Sequence, residues 1–131
     1  MTMKSTLPPI LCALLVCTWL PASAREQLSH GRFENVTLYR PQGETKQFVL
    51  FLSGDRGWSR GVDRMAQVLA GEGAMVAGIS TPRLFANLEA DGGNCVFPDG
   101  DLENLSHYLQ GYARLPTYHT PILVGYSSGR S

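Results

Sequence analysis

Cysteine, histidine and net charge are all scarce in this chain, and each shortage closes off a class of function. Of three cysteines, Cys12 and Cys17 sit in an apolar leader, so Cys95 stands alone in the body of the sequence and has no internal disulfide partner. The three histidines, His30, His107 and His119, lie far apart without ligand spacing such as His-Glu-x-x-His, so no metal site is expected. Eleven Lys and Arg balance eleven Asp and Glu. With no basic stripe to displace counterions from phosphate, a nucleic-acid partner is not expected either. Ser53-Gly54-Asp55-Arg56-Gly57 lacks the terminal Lys-Ser/Thr pair of a phosphate loop, and no cofactor is implied. Internal repeats and low-complexity tracts are absent.

The first 24 residues read as an export signal. Lys4 supplies positive charge, residues 10–20 an apolar stretch, and Pro21-Ala22-Ser23-Ala24 a small-residue cleavage site, with cleavage expected before Arg25. The apolar stretch is shorter than the roughly 20 residues a bilayer span needs, and Pro21 interrupts it, which disfavours a membrane anchor. Lipidation at Cys17 is disfavoured because Val16 before it is bulky. The chain is therefore expected in the periplasm or beyond. There, Cys95 in the turn-rich Asp91-Gly92-Gly93-Asn94-Cys95 implies either a disulfide to sequence beyond position 131 or a free, buried thiol.

Residues 25–131 read as one partial domain. Val36-Thr37-Leu38-Tyr39 alternates and is rich in β-formers, and Phe48-Val49-Leu50-Phe51-Leu52 is continuously apolar, as in a strand buried on both faces. Val62, Met65, Ala66 and Leu69 recur at helical spacing, predicting a helix over 59–70 with Ser59 as N-cap. Ala74-Met75-Val76-Ala77-Gly78-Ile79 is the next strand, and a long loop is expected after Ser80-Thr81-Pro82. A second helix carries Leu102, Leu105, Leu109 and Tyr112 on one stripe, with Asp99, Asp101 and Glu103 near its positively polarised start. Pro121-Ile122-Leu123-Val124 is the final strand. Strands alternating with helices predict an α/β fold, with a mostly parallel sheet and flanking helices.

Directly after that last strand stands Gly125-Tyr126-Ser127-Ser128-Gly129, a Gly-x-Ser-x-Gly pentapeptide. In α/β hydrolases this motif holds the nucleophilic serine on a strained strand-to-helix turn, and its acid and base follow later in the chain. The glycines are expected because a Cβ would crowd that turn. A glycine-rich turn with an idle serine fits the same residues. All three histidines precede Ser127, so none fits the order for the base; His107 and His119 are expected in solvent. A second constellation, Ser53-Gly54-Asp55-Arg56-Gly57-Trp58, ends the apolar strand at 48–52, where open sheets place ligands. Its Asp55 or Arg56 amide could join the Ser128 amide as an oxyanion hole, with Gly54 and Gly57 allowing close approach. It could equally be a turn in which Asp55 bonds its own backbone, and Trp58 is expected in the core.

Together, the leader, the Phe-Leu-Ser-Gly-Asp-Arg-Gly-Trp segment and Val-Gly-Tyr-Ser-Ser-Gly resemble the bacterial virulence protein family of VirJ and AcvB over most of residues 45–129. The resemblance implies a periplasmic protein with the N-terminal part of an α/β-hydrolase fold, linked to type IV secretion and, as for AcvB, to hydrolysis of the ester in lysyl-phosphatidylglycerol. It carries Asp55 and Trp58 over, gives Ser127 the nucleophile position, and leaves the family's Asp and His in sequence not present here. Arg56 departs from the usual glycine, and Arg130 from the small residue expected after the motif. The expectation is an exported serine hydrolase, with residues 25–131 inactive without its acid and base. The alternative is a non-catalytic accessory that binds secretion-system proteins or lipid headgroups.

Overall fold

The computed structural model describes residues 25–92 and 99–127. Its first element is a hairpin that the sequence pattern conceals. Strand β1 (Arg25–His30) carries Leu28 as its single aliphatic residue, yet alternates between exposed and half-buried positions along its length. It pairs antiparallel with β2 (Phe33–Tyr39) across a two-residue turn, where Gly31 adopts φ +60°. A glycine suits that left-handed corner because it has no Cβ to clash.

Strands β3 (Gln47–Leu52) and β4 (Ala74–Ile79) run parallel, joined by helix α1 (Arg60–Gly71). Strand β5 (Ile122–Gly125) pairs parallel with the other edge of β3, giving the order β1-β2-β4-β3-β5. The expected mostly parallel sheet, and with it the N-terminal part of an α/β-hydrolase fold, is not what forms. Both β1–β2 and β2–β4 are antiparallel, and β3–β4 and β3–β5 parallel, so the sheet is mixed. The physical reason lies in the hairpin: a tight two-residue connection can join only antiparallel strands, and β2 then docks antiparallel on β4.

Side chains of β3 divide between two cores, as the strand period of two requires. Phe48 and Leu50 face a layer completed by α2 (Thr81–Ala90) and α3 (Asp99–Tyr112), through Leu84, Leu88, Leu105 and Leu109. Val49 and Phe51 face α1, through Val62, Ala66 and Ala70. This two-sided burial is what makes β3 and β4 read as continuous apolar runs.

Three corrections concern the helices. Ser59 caps α1 as expected, its Oγ accepting the Val62 N–H at 3.4 Å, but the buried stripe is Val62, Ala66 and Ala70, while Met65 is exposed. Residues 81–90, expected as loop, form α2, with Pro82 in its first turn and Leu84 and Leu88 one turn apart on its buried face. On α3 the stripe of Leu105 and Leu109 is joined by two polar residues, Ser106 and Gln110, while Tyr112 is exposed.

Those polar residues are fully employed. Gln110 Nε2 donates to Ser106 Oγ and to the His119 carbonyl, and Gln110 Oε1 accepts the His119 N–H at 2.8 Å. Ser106 Oγ also lies 3.1 Å from the Tyr118 hydroxyl. The set clamps the connection that feeds β5. Elsewhere Arg32, in the hairpin turn, bonds Asp91 after α2 and Asp101 in the first turn of α3, each at 2.7 Å, while Asn87 Nδ2 donates to the Arg32 carbonyl. Replacing Gln110 by Met keeps its bulk but strands both backbone groups of His119. Urea denaturation should show a loss of about 2–3 kcal/mol, the usual cost of unpaired buried polar groups.

Candidate active site

The site is built where β3 and β5 leave the sheet. At the end of β3 the Ser53 N–H donates to the Ile79 carbonyl at 2.9 Å, completing the parallel ladder with β4. Ser53 is buried, and its Oγ accepts the Thr81 N–H at 3.0 Å while Thr81 Oγ1 donates to the Ser53 carbonyl at 2.6 Å. The sequence places Ser53 at the end of a strand, as the first residue of the 53–58 constellation, without indicating a partner for its hydroxyl. The signal that could have pointed to one is a pair of hydroxyl residues just past two apolar strands, which cross-links the ends of β3 and β4.

Residues 54–57 then form a tight turn, closed by the Gly57 N–H donating to the Gly54 carbonyl at 3.0 Å. Gly57 has φ +75°, a conformation that side chains disfavour. Asp55 and Arg56 occupy the two corners of this turn and are exposed.

Strand β5 reaches the same level from the other side of β3. Gly125 pairs with Leu52, and the Tyr126 N–H donates to the Leu52 carbonyl at 2.9 Å. Ser127 follows immediately and is exposed. A cavity of about 150 Å³ is lined by Gly54, Arg56, Gly57, Ser59, Val62 and Tyr126. The structure thus brings together the 54–57 turn, the N-cap of α1 and the residue preceding Ser127. A Cβ on Gly125 would meet nothing within 4 Å among the described residues. Ser128, Gly129, Cys95 and the leader at 1–24 lie outside the described residues.

Trp58 fixes the far side of the turn. Its indole lies over Gly78 of β4, so close that a Cβ on Gly78 would come within 2.4 Å of the ring. Phe51 meets the ring edge-on, with centroids 5.7 Å apart. Trp58 Nε1 donates to the Tyr39 hydroxyl at 3.1 Å, and that hydroxyl donates to Asp63 Oδ1. The other Asp63 oxygen accepts Gln67 Nε2 at 2.8 Å and lies 3.3 Å from an Arg25 guanidinium nitrogen. Burial, and then the hydrogen bond to Asp63, push the Tyr39 phenol well above its ordinary pKa, so it stays a donor. Trp58 is a core residue, half-buried against the α1 side of the sheet.

The histidines stand apart from this cavity. His30 stacks on Tyr108, with centroids 4.1 Å apart, and the exposed His107 stacks on Tyr118 at 4.2 Å, its Nε2 3.8 Å from Glu103. His119 is half-buried, held by Gln110 through its backbone, and borders a separate cavity of about 430 Å³ at the amino ends of β3 and β4. A cavity of about 420 Å³ lies between α3 and β5, floored by Leu50, Leu102 and Leu123. Both are larger than the space beside Tyr126, but neither is lined by a described residue of the serine motif. Among the described residues no cluster of potential metal ligands occurs, and no helix is long and apolar enough to cross a membrane.

Gly78→Ala tests the Trp58 anchor. The added methyl must expel the indole or shift β4, so chemical denaturation should show a loss of about 1–3 kcal/mol, accompanied by altered Trp58 fluorescence. Comparison with known proteins finds no matching family model, no matching curated protein and no matching solved structure.

Proposed function

We propose that this chain carries the nucleophile-bearing part of an exported serine hydrolase that acts on esters, with Ser127 as the nucleophile. The reading is supported above all by one backbone hydrogen bond, from the Tyr126 N–H to the Leu52 carbonyl at 2.9 Å. It ties the residue before Ser127 to the strand end from which the 54–57 turn departs. A nucleophile and a loop of free amides at neighbouring strand ends is the juxtaposition acyl transfer needs.

In this mechanism Ser127 Oγ attacks the ester carbonyl carbon and its proton passes to a general base. The negative charge that develops on the carbonyl oxygen is held by the N–H of Ser128 together with that of Asp55 or Arg56. Collapse of the tetrahedral intermediate breaks the bond to the alcohol, which leaves with the proton held by the base. Water, deprotonated in its turn, then releases the acid and restores the serine. None of the residues lining the cavity is a histidine or a carboxylate, and the base is assigned to a residue outside that lining. The resemblance to VirJ and AcvB extends the proposal to an aminoacyl-phospholipid ester as substrate, the periplasm as compartment and a link to type IV secretion.

Expressed from its complete reading frame, the protein should react with a fluorophosphonate at Ser127. Ser127→Ala should abolish that labelling and lower ester turnover by roughly 10⁴-fold or more. An unlabelled wild-type protein, or equal labelling of the alanine variant, overturns the assignment. A phenotype that survives Ser127→Ala would then favour a non-catalytic accessory that binds proteins or lipid headgroups.

A further inference from the structure

The cavity beside Tyr126 has an asymmetric lining. Gly54 and Gly57 contribute backbone, Val62 is an apolar wall, Ser59 is engaged in capping α1, and Arg56 is the single charged residue among the six. Among the other described arginines, Arg25 pairs with Asp63, Arg32 with Asp91 and Asp101, Arg40 with Glu26, and Arg83 with Glu34, at 2.7–3.3 Å, whereas Arg60, Arg64 and Arg114, none of which lines this cavity, have no carboxylate partner among the described residues. Arg56 pairs with no carboxylate among the described residues, although Asp55 adjoins it in the chain.

A guanidinium held at the corner of a turn, bordering a cavity without a counter-charge, has its donors available to whatever enters. The Arg56 backbone is placed by the Gly57 to Gly54 hydrogen bond and by the anchored Trp58. The turn that would supply oxyanion amides therefore also carries a positively charged side chain at the cavity's edge.

We infer that Arg56 is a specificity-determining residue, which directs the site toward esters bearing an oxyanion, a carboxylate or a phosphate-type group, close to the carbonyl that is attacked. The inference rests on the serine-hydrolase reading for its chemistry, and on the lining of the cavity for its sign. Arg56 binds the anionic group through charge-assisted hydrogen bonds, which are stronger than neutral ones and favour planar oxyanions. A neutral ester of equal length gains nothing from this side chain.

The test compares three p-nitrophenyl esters of similar length on protein from the complete reading frame: the neutral butyrate, the hemiglutarate with its free carboxylate, and the 4-phosphonobutyrate. Replacing Arg56 by Gln should lower the anionic-to-neutral ratio of kcat/KM about 10- to 100-fold, the worth of one charge-assisted bond, whatever factor all three esters share from the altered turn. Arg56→Glu should invert the preference. The ester more affected identifies carboxylate or phosphonate as the better ligand. A ratio that stays within about twofold in both variants overturns the inference.

Should wild-type protein hydrolyse none of the three, the serine-hydrolase reading fails, and binding decides the role of Arg56 separately. Glutarate and 4-phosphonobutyrate would be titrated against the backbone amide resonances of residues 54–57 and Tyr126, with butyramide as the neutral control. Saturable shifts with an anion that disappear in Arg56→Gln sustain an anion subsite. Shifts that persist in the variant, or none at all, dispose of it.

Discussion

Strand β3 is hydrogen-bonded in parallel on both edges, to β4 on one side and to β5 on the other, and the rest of the molecule is arranged around that constraint. Parallel neighbours finish at the same end of the sheet, so three chain segments far apart in sequence emerge at one level. The ladder continues past the strands themselves, with the Ser53 N–H bound to Ile79 and the Tyr126 N–H bound to Leu52. Each backbone group satisfied there is one that needs no water, which lets these connections begin in a fixed direction rather than fray.

Around that end, polar groups are spent on holding backbone in place. Ser53 and Thr81 exchange two hydrogen bonds across the tops of β3 and β4. Trp58, Tyr39, Asp63 and Gln67 form a chain that runs from the turn to the first helix, with Gly78 leaving room for the indole. Removing the Tyr39 hydroxyl takes that partner from both the Trp58 N–H and Asp63 Oδ1, so the cost exceeds that of one lost bond. The antiparallel hairpin at the other edge of the sheet adds to the same chain through Arg25.

Much of this was legible in the residues, but unevenly. Strands β3 and β4 announce themselves because burial on both faces leaves no polar positions to blur them. α1 and α3 do so because their leucine, valine and alanine spacing is helical. β1 was illegible: Arg-Glu-Gln-Leu-Ser-His has one aliphatic residue, and its strand state comes from pairing with β2 rather than from its own pattern. α2 was hidden by Pro82, which reads as a breaker but here occupies the helix's first turn. Strand direction is carried by no side-chain alternation at all, and the parallel expectation failed for that reason. At the candidate site, both glycine-bounded segments could be picked out by motif. That they leave adjacent strands could not, because adjacency of β3 and β5 is a property of the sheet. Gln110 escaped notice because a glutamine on a helix looks like a solvent residue until its partners are known.

Arg32 has an architectural consequence. By gripping Asp91 and Asp101 together, with Asn87 holding its carbonyl, it fastens the exit of one helix and the entrance of the next to the hairpin corner. One side chain thus draws two helix ends to a single corner of the sheet, in addition to the leucines that seat both helices. Three elements distant in sequence share that guanidinium, so a change at this one position would be felt by the hairpin and by both helices together.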